Sequence, residues 1–201
     1  QLDDNMIELR QYIDLLNQKT ELIESKVNLI EQNFERIRFI QTYTPGDLVE
    51  AIESNDTQRV NALISSGNAL TELRGDGSSL LTMAVEKQSL EWVKLFIEKG
   101  LDINHRRHDG VTALFVASEN GYYEIAKYLI EHNAKIDIAR VDGTTPLMIA
   151  VQNNQLSLVK LLLQNNANIQ LTRRDGATAL SIALRNSNIN IVRLFISKGG
   201  G

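Results

Sequence analysis

The dipeptide Asp-Gly recurs at Asp76-Gly77, Asp109-Gly110, Asp142-Gly143 and Asp175-Gly176, each 33 residues after the last. This interval constrains the fold more than any compositional feature does. It is too short for a self-sufficient domain and too regular for accident. It specifies like units that stack on one another, a solenoid. The rest of the unit keeps the same phase. Ala84, Ala117, Ala150 and Ala183 form one column, with Ala51 one period earlier, and Gly67, Gly100, Asn133, Asn166 and Gly199 form another. Gly and Asn accept the left-handed backbone that closes a helix, so the second column marks a backbone requirement.

Each unit reads as two short helices. "TALFVASEN" begins at Thr112, whose hydroxyl can cap the free amides of the first turn, and Ser79, Thr145 and Thr178 hold the same column. Pro146 follows its cap, where a missing N–H costs nothing. The second helix of each unit carries an apolar face, Ile125, Leu129 and Ile130 in one and Leu158, Leu162 and Leu163 in the next. One helix pair cannot cover that face, and stacked neighbours can.

The stretch "DGTTPLMIAVQNNQLSLVKLLLQNNANI" resembles the ankyrin repeat family, whose pattern is Asp-Gly, Thr-Pro-Leu-His, Ala and a Leu-rich second helix. "NGYYEIAKYLIEHNAKI" repeats the second half, and the resemblance runs from about Thr44 to Gly201. The family's histidine after Pro-Leu is Thr82, Phe115, Met148 and Ser181 here, and only one of the four columns keeps the proline. The expected fold is all-α, an ankyrin-type helical repeat solenoid preceded by a long helix. The long helix takes residues 1–42 and the repeats 43–201. The repeats divide into a degenerate capping unit at 44–75, full units at 76–108, 109–141 and 142–174, and a truncated unit at 175–201. The capping unit carries Asp47, Glu50, Glu53, Asp56, Arg59 and Asn61 where later units are more apolar. The last unit keeps its apolar residues, which raises the expectation of further repeats or another domain after it.

The resemblance implies that a protein partner binds the concave face, built from finger loops and first helices. In this sequence that face would use Arg106, His108, Val111 and Glu119 in one repeat. The next would add Ala139, Val141, Thr144 and Gln152, and the one after Thr172, Arg174, Ala177 and Arg185. Phe115 and Met148, on first helices, could be core or exposed anchors. Trp92, Tyr122 and Tyr123 read as core or edge packing.

Residues 2–41 contain no Pro or Gly. Leu9, Ile13, Leu16, Ile23, Val27, Ile30, Phe34 and Ile37 alternate spacings of four and three with Leu2, Met6 and Thr20, a heptad pattern of the coiled-coil kind. A self-associating helix, and so a homo-oligomer through residues 2–41, is the expectation. In a parallel pair Lys19 would face Glu24 and Lys26 would face Glu31, which favours that orientation by about 0–1 kcal/mol per pair. A second row, Leu15, Leu22 and Leu29, lies off the seam. It fits either a wider seam or a helix packed within a larger helical domain. "YTPG" at 43–46 ends the helix.

The stretch "HRRHDG", His105 to Gly110, is the most chemical in appearance. Two histidines three apart, beside arginines that repel a cation and with no third ligand, do not make a metal site. Arg107 is one of a column, Arg74, Arg107, Arg140 and Arg173, each two residues before the Asp of its Asp-Gly. Two readings stand. The column pairs with Asp76, Asp109, Asp142 and Asp175 and holds the fingers in register, or it forms a basic stripe, extended by Arg106 and Arg174, for an acidic partner.

Several function classes lose support. The chain of 201 residues has no cysteine and a net charge of −4, and no aromatic residues interleave with its arginines, so nucleic acid is not expected as a partner. No cofactor, metal site or membrane span is expected. No nucleophile, paired carboxylates or phosphate-binding loop recurs, so the chain reads as a non-enzymatic interaction scaffold, intracellular and cytoplasmic. The alternative is the targeting or regulatory arm of a larger enzyme, channel or intracellular-bacterial effector, which the abundance of Asn and Ile suits through an AT-rich genome.

Overall fold

The computed structural model describes the backbone of residues 2–42, 44, 46–65 and 70–199, with the side chains of 2–5, 7–8, 35–42 and 198–199 excepted. Gly67, Tyr43, Pro45 and the side chains of Leu2 and Ile37 therefore lie outside the described residues. The described residues form helices and no strand beyond two isolated bridges, Leu73 with Ser79 and Thr172 with Thr178. The chain divides into two compact units, one of Gln1–Thr44 with Asn61–Asn68 and the other of Pro45–Val60 with Ala69–Gly201.

In the first unit α1 (Leu2–Thr42) is one uninterrupted helix. Its seam stays open to solvent: Leu9, Ile13, Leu16, Ile23, Val27, Ile30 and Phe34 are between 45% and 66% exposed. Leu15, Leu22 and Leu29 are exposed as well. Thr20, the polar member of the seam, turns its hydroxyl back to the Leu16 carbonyl at 2.9 Å.

The repeats supply paired helices: α2 (Asp47–Glu53) with α3 (Thr57–Ser65), α4 (Leu80–Glu86) with α5 (Leu90–Glu98), α6 (Ala113–Asn120) with α7 (Tyr123–Glu131), α8 (Pro146–Gln152) with α9 (Leu156–Gln164), and α10 (Ala179–Arg185) with α11 (Ile189–Gly199). The first helices α2, α4, α6, α8 and α10 pack in succession as one layer, and α5, α7, α9 and α11 as a second. The alanine column explains the spacing. Ala51, Ala84, Ala117, Ala150 and Ala183 are all 0% exposed, and the small side chain lets neighbouring elements approach closely. On the second helices Phe96, Leu129, Leu162 and Phe195, one period apart, are all buried. Burying each is worth about 1.5–3 kcal/mol.

The helix starts follow the capping column. Ser79, Thr112, Thr145 and Thr178 each accept the backbone N–H three residues on. Positions that carry histidine in the resembling family divide in two. Thr82 and Ser181 join the caps, with Ser181 Oγ accepting from Thr178 N–H at 2.9 Å, while Phe115 and Met148 are 1% exposed and belong to the core. Trp92 is likewise buried.

Two columns take left-handed backbone. Gly100, Asn133 and Asn166 close the second helices at φ of 83°, 69° and 66°, whereas Gly199 continues α11. The other column follows the first helices, Asn55, Gln88, Gly121, Asn154 and Ser187. Its Gln and Ser carry no left-handed signature in the sequence.

The ends of the stack differ. Arg59 ties α3 to α2 through Asp47 and Glu50, each at 2.9 Å, and charged groups crowd the first pair. In the last pair Leu180, Leu184, Ile189 and Ile196 are exposed. Of their counterparts one repeat back, Leu147, Val151 and Leu163 are buried and Leu156 is half-buried.

Candidate functional site

The candidate site is the row of finger loops and the C-terminal ends of the first helices beside them. Each finger is a tight turn around Asp-Gly, with Gly77, Gly110, Gly143 and Gly176 at φ between 78° and 87°. The Asp takes three bonds. Arg107 Nε donates to Asp109 Oδ1 at 3.0 Å and its Nη2 to Oδ2 at 2.6 Å, while Val111 N–H donates to Oδ1 at 3.1 Å. Arg74 with Asp76 and Arg140 with Asp142 repeat the fork, and Arg173 pairs with Asp175 in the same way. These guanidinium bonds hold Asp76, Asp109 and Asp142 below the usual carboxylate range and bring Asp175 down to about 2.

The arginine column is thus bound chiefly within its own fingers. Register between fingers is carried by the backbone instead. His108 N–H donates to the Asp76 carbonyl at 3.1 Å, Val141 to Asp109 at 2.8 Å and Arg174 to Asp142 at 2.9 Å. Side-chain ion pairs reinforce this ladder between the first two Asp-Gly fingers: Glu86 accepts from Arg74 Nη1 at 2.7 Å and lies 3.5 Å from Arg107 Nη1, which also stands 3.7 Å from Asp76 Oδ2.

The stretch His105–Gly110 stitches three fingers together. His105 Nε2 donates to the Gly77 carbonyl at 2.8 Å, and the His108 ring lies over the same glycine, where an added Cβ would meet His108 Cδ2 at 2.5 Å. Arg106 reaches forward, its Nη2 donating to the Ala139 carbonyl at 3.0 Å. Both histidines are therefore engaged with a neighbouring turn. Among the described residues no group of three or more His, Cys, Asp or Glu is placed to hold a metal ion.

The residues expected to meet a partner separate by burial. Arg106, His108, Val141, Gln152, Thr172, Arg174 and Arg185 are exposed, and Glu119, Ala139 and Ala177 are half-exposed. Val111 and Thr144 are 2% and 1% exposed and leave the set, because the second residue after Asp-Gly's Asp is tucked under its finger. Phe115 is closed off too, under the Arg140 guanidinium at 5.6 Å from the ring centre. Glu86 joins the site although no motif marks it; its only signal in the sequence is the one-period spacing from Glu53 and Glu119.

Buried, invariant columns beneath a line of exposed, varied fingertips define the architecture of the repeats. A family model described as ankyrin repeats (3 copies) matches residues 48–140 and again 136–200. The chain belongs to the ankyrin repeat family. No curated protein is a significant match to it. Ankyrin repeats are in general protein–protein interaction modules. Besides the replaced histidines and prolines, the ankyrin fingers here carry Arg in a column that is more often acidic in the family. The consequence is visible in the geometry: the arginine and the Asp of Asp-Gly neutralise one another in each of the four Asp-Gly fingers, leaving other side chains to set the charge of the surface. No helix of the described residues is long and apolar enough to cross a membrane.

Proposed function

We propose that this chain is a scaffold that binds a protein partner through its fingers and first helices, and that α1 brings copies of it together. The observation that carries the first part is the contrast within each finger. The framework positions are buried or paired, while the exposed column His108, Val141 and Arg174 changes its chemistry from repeat to repeat. Such a surface, apolar residues set among charges, is what protein interfaces use. The second part rests on the open heptad seam of α1 and on the complementarity of Lys19 with Glu24 and Lys26 with Glu31 in a parallel pair. Joined copies present several binding surfaces at once and raise avidity.

Both parts are testable in the full chain. Molar mass in solution is expected to be a multiple of the chain mass, falling to the single-chain value in Ile23→Lys/Val27→Lys. A wild-type monomer would sink self-association. A protein captured from the source organism is expected to be lost on His108→Glu/Val141→Glu, and retention on that variant places the contact elsewhere.

A further inference from the structure

One column at the end of the first helices changes in a single direction along the stack: Glu53, Glu86, Glu119, Gln152, Arg185. Glu86 shows what a carboxylate does there. It accepts from Arg74 Nη1 at 2.7 Å and Nη2 at 3.1 Å and stands 3.5 Å from Arg107 Nη1, so one carboxylate serves two successive finger arginines. One repeat on, Glu119 still acts electrostatically on Arg140. At the next step the column turns neutral, and Arg173 feels only the aspartates of the fingers, Asp175 and Asp142. At the last step the column itself is cationic.

The finger next to this change adds charge of the same sign. Arg174 is exposed, and neither it nor Arg185 has an ion-pair partner among the described residues. The aspartates nearby are committed, Asp142 to Arg140 and Asp175 to Arg173. Val141, 48% exposed, stands one period before Arg174 and offers an apolar contact. The edge is tied from repeat to repeat: Asn186 Nδ2 donates to the Gln152 carbonyl at 3.3 Å, and Asn153 Nδ2 to the Glu119 carbonyl at 2.7 Å. The backbone carbonyl of Gln152 is thus held by the repeat that carries Arg185.

We infer that the surface around Gln152, Arg174 and Arg185 receives an acidic segment of the partner protein, one carboxylate of which takes the place beside the finger arginines that Glu86 fills at the other end of the stack. The inference rests on the finger-and-first-helix reading above and adds the chemistry of what binds. An apolar residue of the segment meets Val141. Nucleic acid is the poorer occupant, because no exposed aromatic lies among these arginines to stack a base.

The probe is a fluorescein-labelled polyglutamate peptide with a central leucine, titrated with the full chain and read by anisotropy. A polylysine counterpart and a single-stranded oligothymidylate serve as controls. Saturable binding that weakens with salt is expected, with about a tenfold loss in Arg174→Glu/Arg185→Glu. Gln152→Glu restores the internal carboxylate and is expected to weaken the peptide several-fold with a thermal midpoint no lower than that of the wild type. Absence of saturable binding, equal binding of the oligothymidylate, or affinity unchanged in both variants overturns the inference. If it is overturned while a captured protein still depends on His108 and Val141, the scaffold reading survives and only the acidic segment falls.

Discussion

Among single residues, the finger glycines separate two causes of constraint. Gly143 and Gly176 share left-handed backbone, at φ of 87° and 78°. A Cβ on Gly176 would meet nothing within 4 Å, whereas one on Gly143 would lie 3.0 Å from Arg173 Cα and 3.1 Å from the Thr172 carbonyl oxygen. Gly176→Ala therefore incurs backbone strain alone, about 1–2 kcal/mol. Gly143→Ala adds a clash with main chain that cannot swing aside, for a total of about 2–4 kcal/mol. Chemical denaturation of the two variants checks this, and equal losses would show that the fingers are not in close register. The Asp-Gly period in the sequence pointed to turns at both positions. It carried no sign that only one of them has the next finger pressed against it.

At the scale of the element, the finger is a charge-neutral clamp whose pH range follows from its aspartate. Asp175 lies at about 2 in the folded chain against an ordinary 3.8, through its bonds from Arg173. The folded value is the lower one, so the stabilisation is complete above about pH 4 and is lost as pH falls through about 2. Asp175→Asn is expected to lower the thermal midpoint at neutral pH and to approach the wild type near about pH 2. A deficit that persists unchanged at low pH would mean the clamp acts through shape and not charge. The pairing of Arg and Asp was legible from their fixed spacing. That the fork closes within one finger, and that backbone N–H groups carry the register between fingers, depends on loop geometry that no column of residues displays.

For the whole repeat stack, identical columns have unequal worth because of where they stand. Val151 is 0% exposed and Leu184, its counterpart one repeat on, is 58% exposed. Val151→Gln buries an amide between two repeats and is expected to cost about 3 kcal/mol or more. Leu184→Gln is expected to change stability by about 0.5 kcal/mol at most and to reduce light scattering at high protein concentration. A large loss in Leu184→Gln would show that something covers the last helix pair in solution. The same logic governs the partner surface. The column Glu86, Glu119, Gln152, Arg185 reads as a list of substitutions until the fold shows Glu86 bridging the finger arginines Arg74 and Arg107 and Glu119 acting on Arg140.

The architecture was legible in the residues. A 33-residue period, with alanines, capping hydroxyls and left-handed glycines and asparagines in phase, admits only stacked helix pairs, because each requirement is local and recurs. The heptads of α1 were legible for the same reason. Which side chains remain available follows from packing between repeats. Val111 and Thr144 stand in a variable column and are buried, Phe115 and Met148 proved to be core, and Arg106 and His108 were already leaning on neighbouring turns. Exposure and pairing depend on the repeat before and the repeat after, and their distances are set by packing between units, which the spacing within one unit does not encode.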